Sequence, residues 1–214
     1  MMRHLAIVAI LLFASCHRGN RADAPPSSGP PLDESAYPGE LRAVDALPGD
    51  FLWRQHVTAH WPLGSRGFDA ALQKRDDKLT LLGLTPMGTP AFTLVLTDDA
   101  LTFENRSDRE LPFPPRFVVL DLQRVFYPWL PGPPPADGER SGEVEGERVH
   151  ERYAAGRLVE RGFTRLDATP PGTIRVTYRD YEPGAQAPRH AELDNGWFGY
   201  RIVVETSAQQ ALAE

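Results

Sequence analysis

The chain has 214 residues, of which 23 are Lys or Arg and 29 are Asp or Glu, for a formal net charge of −6. A surface of that sign repels nucleic acid and exerts no pull towards anionic lipid. With one cysteine no disulfide can close within the chain, so stability has to come from packing, and the length suits one well-buried domain.

The chain opens on Leu5 to Cys16, LAIVAILLFASC, an apolar run behind a short head carrying Arg3 and His4. That is the pattern of an export signal, too short to stay in a bilayer as a span. The run ends in Ala14-Ser15-Cys16, which resembles the bacterial lipobox, with Phe13 where leucine is usual. The resemblance implies removal of residues 1–15 and acylation of Cys16 with chains such as palmitate, so that the protein is held to a membrane by its lipid. His17, not an aspartate, follows the cysteine, and by the sorting pattern of enteric bacteria this implies the periplasmic face of the outer membrane of a Gram-negative cell.

Residues 16–50 carry prolines at 25, 26, 30, 31, 38 and 48 and hardly any apolar run, so they read as a tether that cannot offset the entropy of folding. From Phe51 the pattern becomes period two. Phe51, Trp53, Val57, Ala59 and Trp61 share one face of a strand. Short turns separate it from strands over 67–75, 79–84, 91–97 and 101–105, an antiparallel meander, because parallel neighbours need long crossovers. Pro114 and Pro115 suit a first helical turn, and Phe117, Leu120, Val125 and Phe126 give an apolar face before Pro128 ends the run. After a proline-rich loop, strands are expected over 143–153, 157–166, 173–182, 190–193 and 200–206, with 207–214 a disordered tail.

One apolar helix between two meanders must bury itself against the sheet. The expected fold is mainly β (α+β): a curved antiparallel sheet of about ten strands over residues 51–206, an incomplete barrel around one helix, able to enclose an apolar cavity. Trp53, Trp61, Phe117, Leu120 and Phe126 are the candidates to line such a cavity, and the aromatic residues equally suit a plain core.

Chemistry-bearing patterns are sparse. His56 and His60 would share an ion on a helix, but on a strand they stand about 13 Å apart, which favours a surface pair over a metal site. Asp98-Asp99 marks a hairpin tip, and Glu143, Glu145 and Glu147 read as a solvated strand face. No G-x-S-x-G and no glycine-rich phosphate loop occurs, and no catalytic residue, metal or cofactor is assigned.

The stretches LTLLGLTPMGTPAFTLVL (79–96), ELPFPPRFVVLDLQRVFYPWLPG (110–132), IRVTYRDY (174–181) and AELDNGWFGYRIVVET (191–206), in that order, resemble the lipoprotein-localisation proteins LolA and LolB, the latter more closely. The chain is also similar to a bacterial lipoprotein family of the same superfamily, some of whose members are encoded among pigment-lipid biosynthesis genes. The resemblance implies an incomplete barrel with a helical lid. Its cavity accepts acyl chains or lipidated cargo without catalysis, working as a monomer with a periplasmic carrier protein as partner. It also places Met87, in the turn Pro86-Met87-Gly88, where LolB projects a membrane-contacting leucine; as a residue in its own right Met87 is equally an ordinary exposed turn residue. The alternative from a different class is a structural lipoprotein of the same fold, its cavity collapsed, supporting an envelope or lipid-biosynthesis complex.

Overall fold

A computed structural model describes residues 33–98, 100–108, 111 and 113–213. The export signal, Cys16 and the first half of the lead lie outside the described residues. Eleven strands and one α-helix follow one another as β1 (Phe51–Trp61), β2 (Gly64–Arg75), β3 (Lys78–Leu84), β4 (Pro90–Thr97), β5 (Ala100–Asn105), α1 (Pro115–Phe126), β6 (Gly138–Val144), β7 (Glu147–Ala154), β8 (Arg157–Arg165), β9 (Thr173–Arg179), β10 (His190–Asn195) and β11 (Tyr200–Ala211).

All strands belong to one sheet in the order β5-β4-β3-β2-β1-β11-β10-β9-β8-β7-β6, every neighbouring pair antiparallel. Each meander pairs within itself, and the first and last strands join the two, with Phe51 opposite Ala211 and His60 opposite Arg201. The sheet is not closed, since β5 and β6 end it on either side. It is strongly bent. Leu81 on β3 lines a small cavity together with Val118 and Leu122 of α1, while Glu147 on β7 lies 2.7 Å from Arg124 of the same helix. Laid flat, two strands seven places apart would stand about 33 Å from each other, roughly three times the width of a helix. The result is an open, incomplete barrel around one helix, the architecture expected from the sequence.

Three expectations change. The stretch 143–153 is not one strand. Glu145 and Gly146 take positive φ (52° and 77°) and turn the chain between β6 and β7, which raises the strand count from ten to eleven. The three glutamates therefore share no face, and Glu147 is buried against Arg124, so the solvated-face reading is corrected for it. The tail is the second correction: β11 continues to Ala211, and the Leu212 N–H bonds to the Asp50 carbonyl, so the ordered domain outlasts residue 206.

The third correction concerns the tether, whose second half is part of the domain. Residues 33–47 form two short 3₁₀ turns, Glu34–Ala36 and Val44–Ala46, and bury Tyr37, Val44 and Leu47. They run as a strap along α1, on the side the sheet does not cover. Arg116 donates to the Tyr37 and Gly39 carbonyls. Gln123 meets the backbone of Arg42 with both ends of its amide, at 3.1 and 2.8 Å. Gln123, a polar residue of α1 that would otherwise face water, is thus buried between helix and strap with both ends of its amide bonded.

Beneath the strap the contacts are dense. The Tyr37 and Tyr200 hydroxyls both donate to Asp121, and Asn195 joins the same cluster. Burial pushes the Asp121 pKa up to about 6, held there against the lowering pull of the two tyrosine hydrogen bonds and Arg124. The Arg124 guanidinium is fully buried against Glu147 and lies within 4.9–5.5 Å of the ring centres of Tyr37, Phe163, Trp197 and Trp129. Such cation–ring contacts stabilise a desolvated charge, and removing either ionic partner would strand the other.

Candidate ligand cavity

Hairpin geometry sorts the molecule into two ends. The β1–β2 and β3–β4 turns, the start of α1 and the β10–β11 turn lie at one end. The start of β1, the end of α1, the β7–β8 turn and the segment between β9 and β10 lie at the other. The first end is filled. Phe113 packs on Trp61 and Tyr200, and Tyr37 on Phe117, Trp197 and Phe198, all with ring centres within 6.1 Å.

The second end holds a cavity of about 620 Å³. Its walls come from the strap's end and β1 (Leu47, Phe51, Trp53), from the last turn of α1 and the loop after it (Val125, Phe126, Tyr127, Leu130), and from β8, β9 and the segment that follows (Leu158, Tyr178, Tyr181, Ala187). It opens to solvent beside the exposed Pro128, Gly132 and Pro134. The volume lies within the range of small-molecule sites. A second, much smaller cavity of about 50 Å³ lies under the helix, lined by residues such as Val57, Phe68, Leu81, Val118 and Leu122. Val125 and Phe126 line both, so the half-buried Phe126 ring stands between the two spaces.

The proline-rich loop after α1 is held against β6 and β8 at the rim of the cavity. Arg161, buried on β8, donates to the Arg124 and Tyr127 carbonyls, both at 2.9 Å, and so takes up backbone acceptors that the helix end leaves unpaired. Arg140 on β6 donates to the Pro131 and Gly132 carbonyls further along the loop. Between the two arginines lies Glu151, bonded by Arg161 Nε, by Arg140 Nε and by the Tyr153 hydroxyl at 2.7–2.8 Å. Burial acts to raise the Glu151 pKa; the Arg161 charge and the hydrogen bonds from Tyr153, Arg161 and Arg140 outweigh it and hold the carboxyl below its ordinary value. Gly142 completes the seat, because a Cβ there would lie 2.8 Å from Leu130 Cδ2 and that side chain would have to shift.

The five residues expected around a cavity separate. Trp53 and Phe126 line the large one, their rings 5.2 Å apart, and the buried Trp53 Nε1 has no hydrogen-bond partner among the described residues. Phe117 and Leu120 are fully buried in the packed core and border neither cavity. Trp61 is half-buried at the far end, against Phe113, and borders neither one either. These three are core residues, because the strap and the turn aromatics fill the space beside them. Sequence reading missed Leu130, Leu158, Tyr178, Arg140 and Arg161, which the loop and the second meander bring to the cavity. The one available sign was Leu130 inside a proline-rich loop, an apolar residue where turn residues prevail.

Met87 is 87% exposed at the tip of the β3–β4 turn, which is held by Thr85 and Thr89 through paired backbone and hydroxyl bonds. Leu63, 65% exposed, tips the β1–β2 turn at the same end. By strand length this end stands roughly 30 Å from the cavity. His56 and His60 are exposed, His56 Nδ1 lying 2.8 Å from Asp69, and Asp98 turns its hairpin with a φ of 53°. Among the described residues no group of three or more His, Cys, Asp or Glu is placed to hold a metal, and no helix is long and apolar enough to cross a membrane.

No curated protein matches the sequence. Among solved structures the chain is similar to a LolA superfamily protein from Nitrosomonas europaea, at 8% identity over 78% of this chain and 87% of that one, with a TM-score of 0.47. It is similar to a domain named as an outer membrane lipoprotein-sorting protein from Vibrio parahaemolyticus, at 11% identity over 78% and 88%, TM-score 0.47. The lipoprotein LppX from Mycobacterium tuberculosis is similar at 13% identity over 80% and 92%, TM-score 0.36. Residues 52–208 match the model of the family described as protein of unknown function (DUF3261), and the chain belongs to that family.

Proposed function

We propose that this protein is an envelope lipoprotein that binds an acyl chain, free or as part of a lipidated cargo, in the cavity between α1 and the sheet, as a carrier or receptor and without catalysis. The observation that carries this reading is the 620 Å³ space walled by Phe51, Trp53, Phe126, Leu130 and Leu158 and open at one end. A scaffold of the same fold would have no use for a void of that size, which sacrifices packing. The described residues lining it include no serine, cysteine, histidine or carboxylate.

In this reading Cys16 carries the acyl anchor on the periplasmic face of the outer membrane, and Met87, with its flexible thioether, touches the bilayer surface. The cavity lies at the opposite end from Met87, so it faces away from the membrane, towards cargo arriving from the periplasm. The test is mass spectrometry of lipids extracted from the purified full chain. An acyl-bearing species at near-stoichiometric amount supports the reading, and a lipid-free protein that also fails to take up any offered acyl chain overturns it.

A further inference from the structure

The cavity wall has a charge that the rest of the molecule does not share. Acidic side chains outnumber basic ones in the chain, 29 to 23. Yet the charged residues lining the cavity are both arginines, Arg140 and Arg161. Glu151 lies behind them with its side chain fully buried and is shared by both, so two positive charges meet one negative charge. The remaining partners of the two arginines are carbonyl oxygens and a tyrosine hydroxyl, which solvate the guanidinium groups without neutralising them. Carboxylates elsewhere at this end do not line the cavity: Asp45, Asp137, Asp180 and Glu182 are exposed, and Asp50 pairs with Lys74. An uncompensated positive charge beside an apolar, half-enclosed space is costly, and a bound anion would offset it.

The rest of the wall carries no charge. Phe51, Trp53, Phe126 and Leu158 supply aromatic and aliphatic side chains, and behind the Phe126 ring lies the smaller space under the helix. The hydroxyls of Tyr153, Tyr178 and Tyr181 are taken up by Glu151 and by the Val125 and Leu158 carbonyls, so the two guanidinium groups are the charged feature of a mostly apolar lining.

We propose that the ligand is an amphiphile with one anionic headgroup, a long-chain carboxylate, held with its head at Arg140 and Arg161 and its chain against Phe126 and Trp53. This rests on the cavity being an acyl-chain site, as set out above. Arg140 is the partner to test, because its side chain is 20% exposed, whereas that of Arg161 is 5% exposed and holds the end of α1. A charge-assisted contact of this kind should favour the anion by roughly tenfold.

The experiment measures displacement of a neutral fluorescent naphthylamine from the purified full chain by hexadecanoate, hexadecanol and hexadecylamine. Hexadecanoate should bind roughly tenfold tighter than the alcohol, with the amine weakest. Arg140→Gln, which also removes the bonds to the Pro131 and Gly132 carbonyls, should weaken both ligands but abolish the preference for the acid over the alcohol, and Arg140→Lys, which keeps the charge, should retain that preference. Equal affinity for acid and alcohol in the unaltered chain, or an equal loss for both in Arg140→Gln, overturns the headgroup inference while leaving an acyl-chain site in place. If none of the three displaces the probe, the acyl-chain reading fails with it.

Discussion

The two ends of α1 rest on the same sheet and yet are packed in opposite ways. At its start Phe117 is fully buried among Tyr37, Phe198 and the turn aromatics, and below it Asp121 and Arg124 are enclosed by strap and sheet together. At its end Phe126 is half-buried beside a cavity, and Arg140 and Arg161 hold the following loop by its carbonyls at the rim. The strap makes the difference. It fills the first end with Tyr37 and only borders the second with Leu47. A curved sheet with one helix has room for a ligand wherever nothing else is supplied to fill it.

The sharpest way to break this contrast is to truncate a ring at each end. Phe117→Ala should cost about 3–5 kcal/mol, as full-size core truncations do. Phe126→Ala should cost no more than about 2 kcal/mol, since its ring already faces a void. Equal losses in chemical denaturation would mean that the two ends are packed alike.

The filled end should also show itself in pH. Burial raises the Asp121 pKa from an ordinary 3.8 to about 6, so the folded state holds a proton at pH values where the unfolded chain has released it. Stability from this group is greatest below about pH 4 and falls as pH rises towards 6, by roughly 3 kcal/mol for two pKa units. Against Asp121→Asn, which has no such titration, the wild type should therefore lose ground by that order between pH 4 and pH 7. A difference that stays flat, or moves the other way, would place Asp121 outside the buried cluster.

At the open end the expected effects are on binding and not on folding. Leu158→Trp, at a half-buried position on the cavity wall, puts a larger ring into the cavity and should weaken acyl-chain uptake at least tenfold, while stability changes by less than about 1 kcal/mol because the added atoms enter empty space. Unchanged uptake would mean that the chain binds elsewhere. Smallest of all in stability is Met87→Glu, which should leave the melting temperature and cargo loading alone and reduce only association with liposomes, since a charge at the tip resists entry into hydrocarbon. Liposome association equal to wild type would leave Met87 an ordinary turn residue.

Much of this was legible in the sequence, unevenly. Alternation in Phe51–Trp61 and the Pro115 start of α1 are local patterns, and the structure has β1 and α1 where they fall. The strap was hidden because six prolines across the lead outweighed Leu41, Val44 and Leu47, whose three-residue spacing was the one hint of burial. Asp121, Gln123 and Arg124 look like a solvated helix side until the strap brings their partners from some eighty residues away. Glu147 is hidden for the same reason: its partner Arg124 is on another element. The cavity is a property of what does not fill a space, and no single segment encodes it.

A brominated long-chain fatty acid tests whether an acyl chain occupies the Trp53 end of the molecule, since bromine quenches only tryptophans close to the chain. Trp53 lines the cavity and Trp61, on the same strand, stands at the packed end. Quenching of the full chain should be saturable, mostly lost in Trp53→Phe and retained in Trp61→Phe. Quenching that survives Trp53→Phe, or that depends on Trp61 instead, would contradict an acyl chain at the Trp53 end.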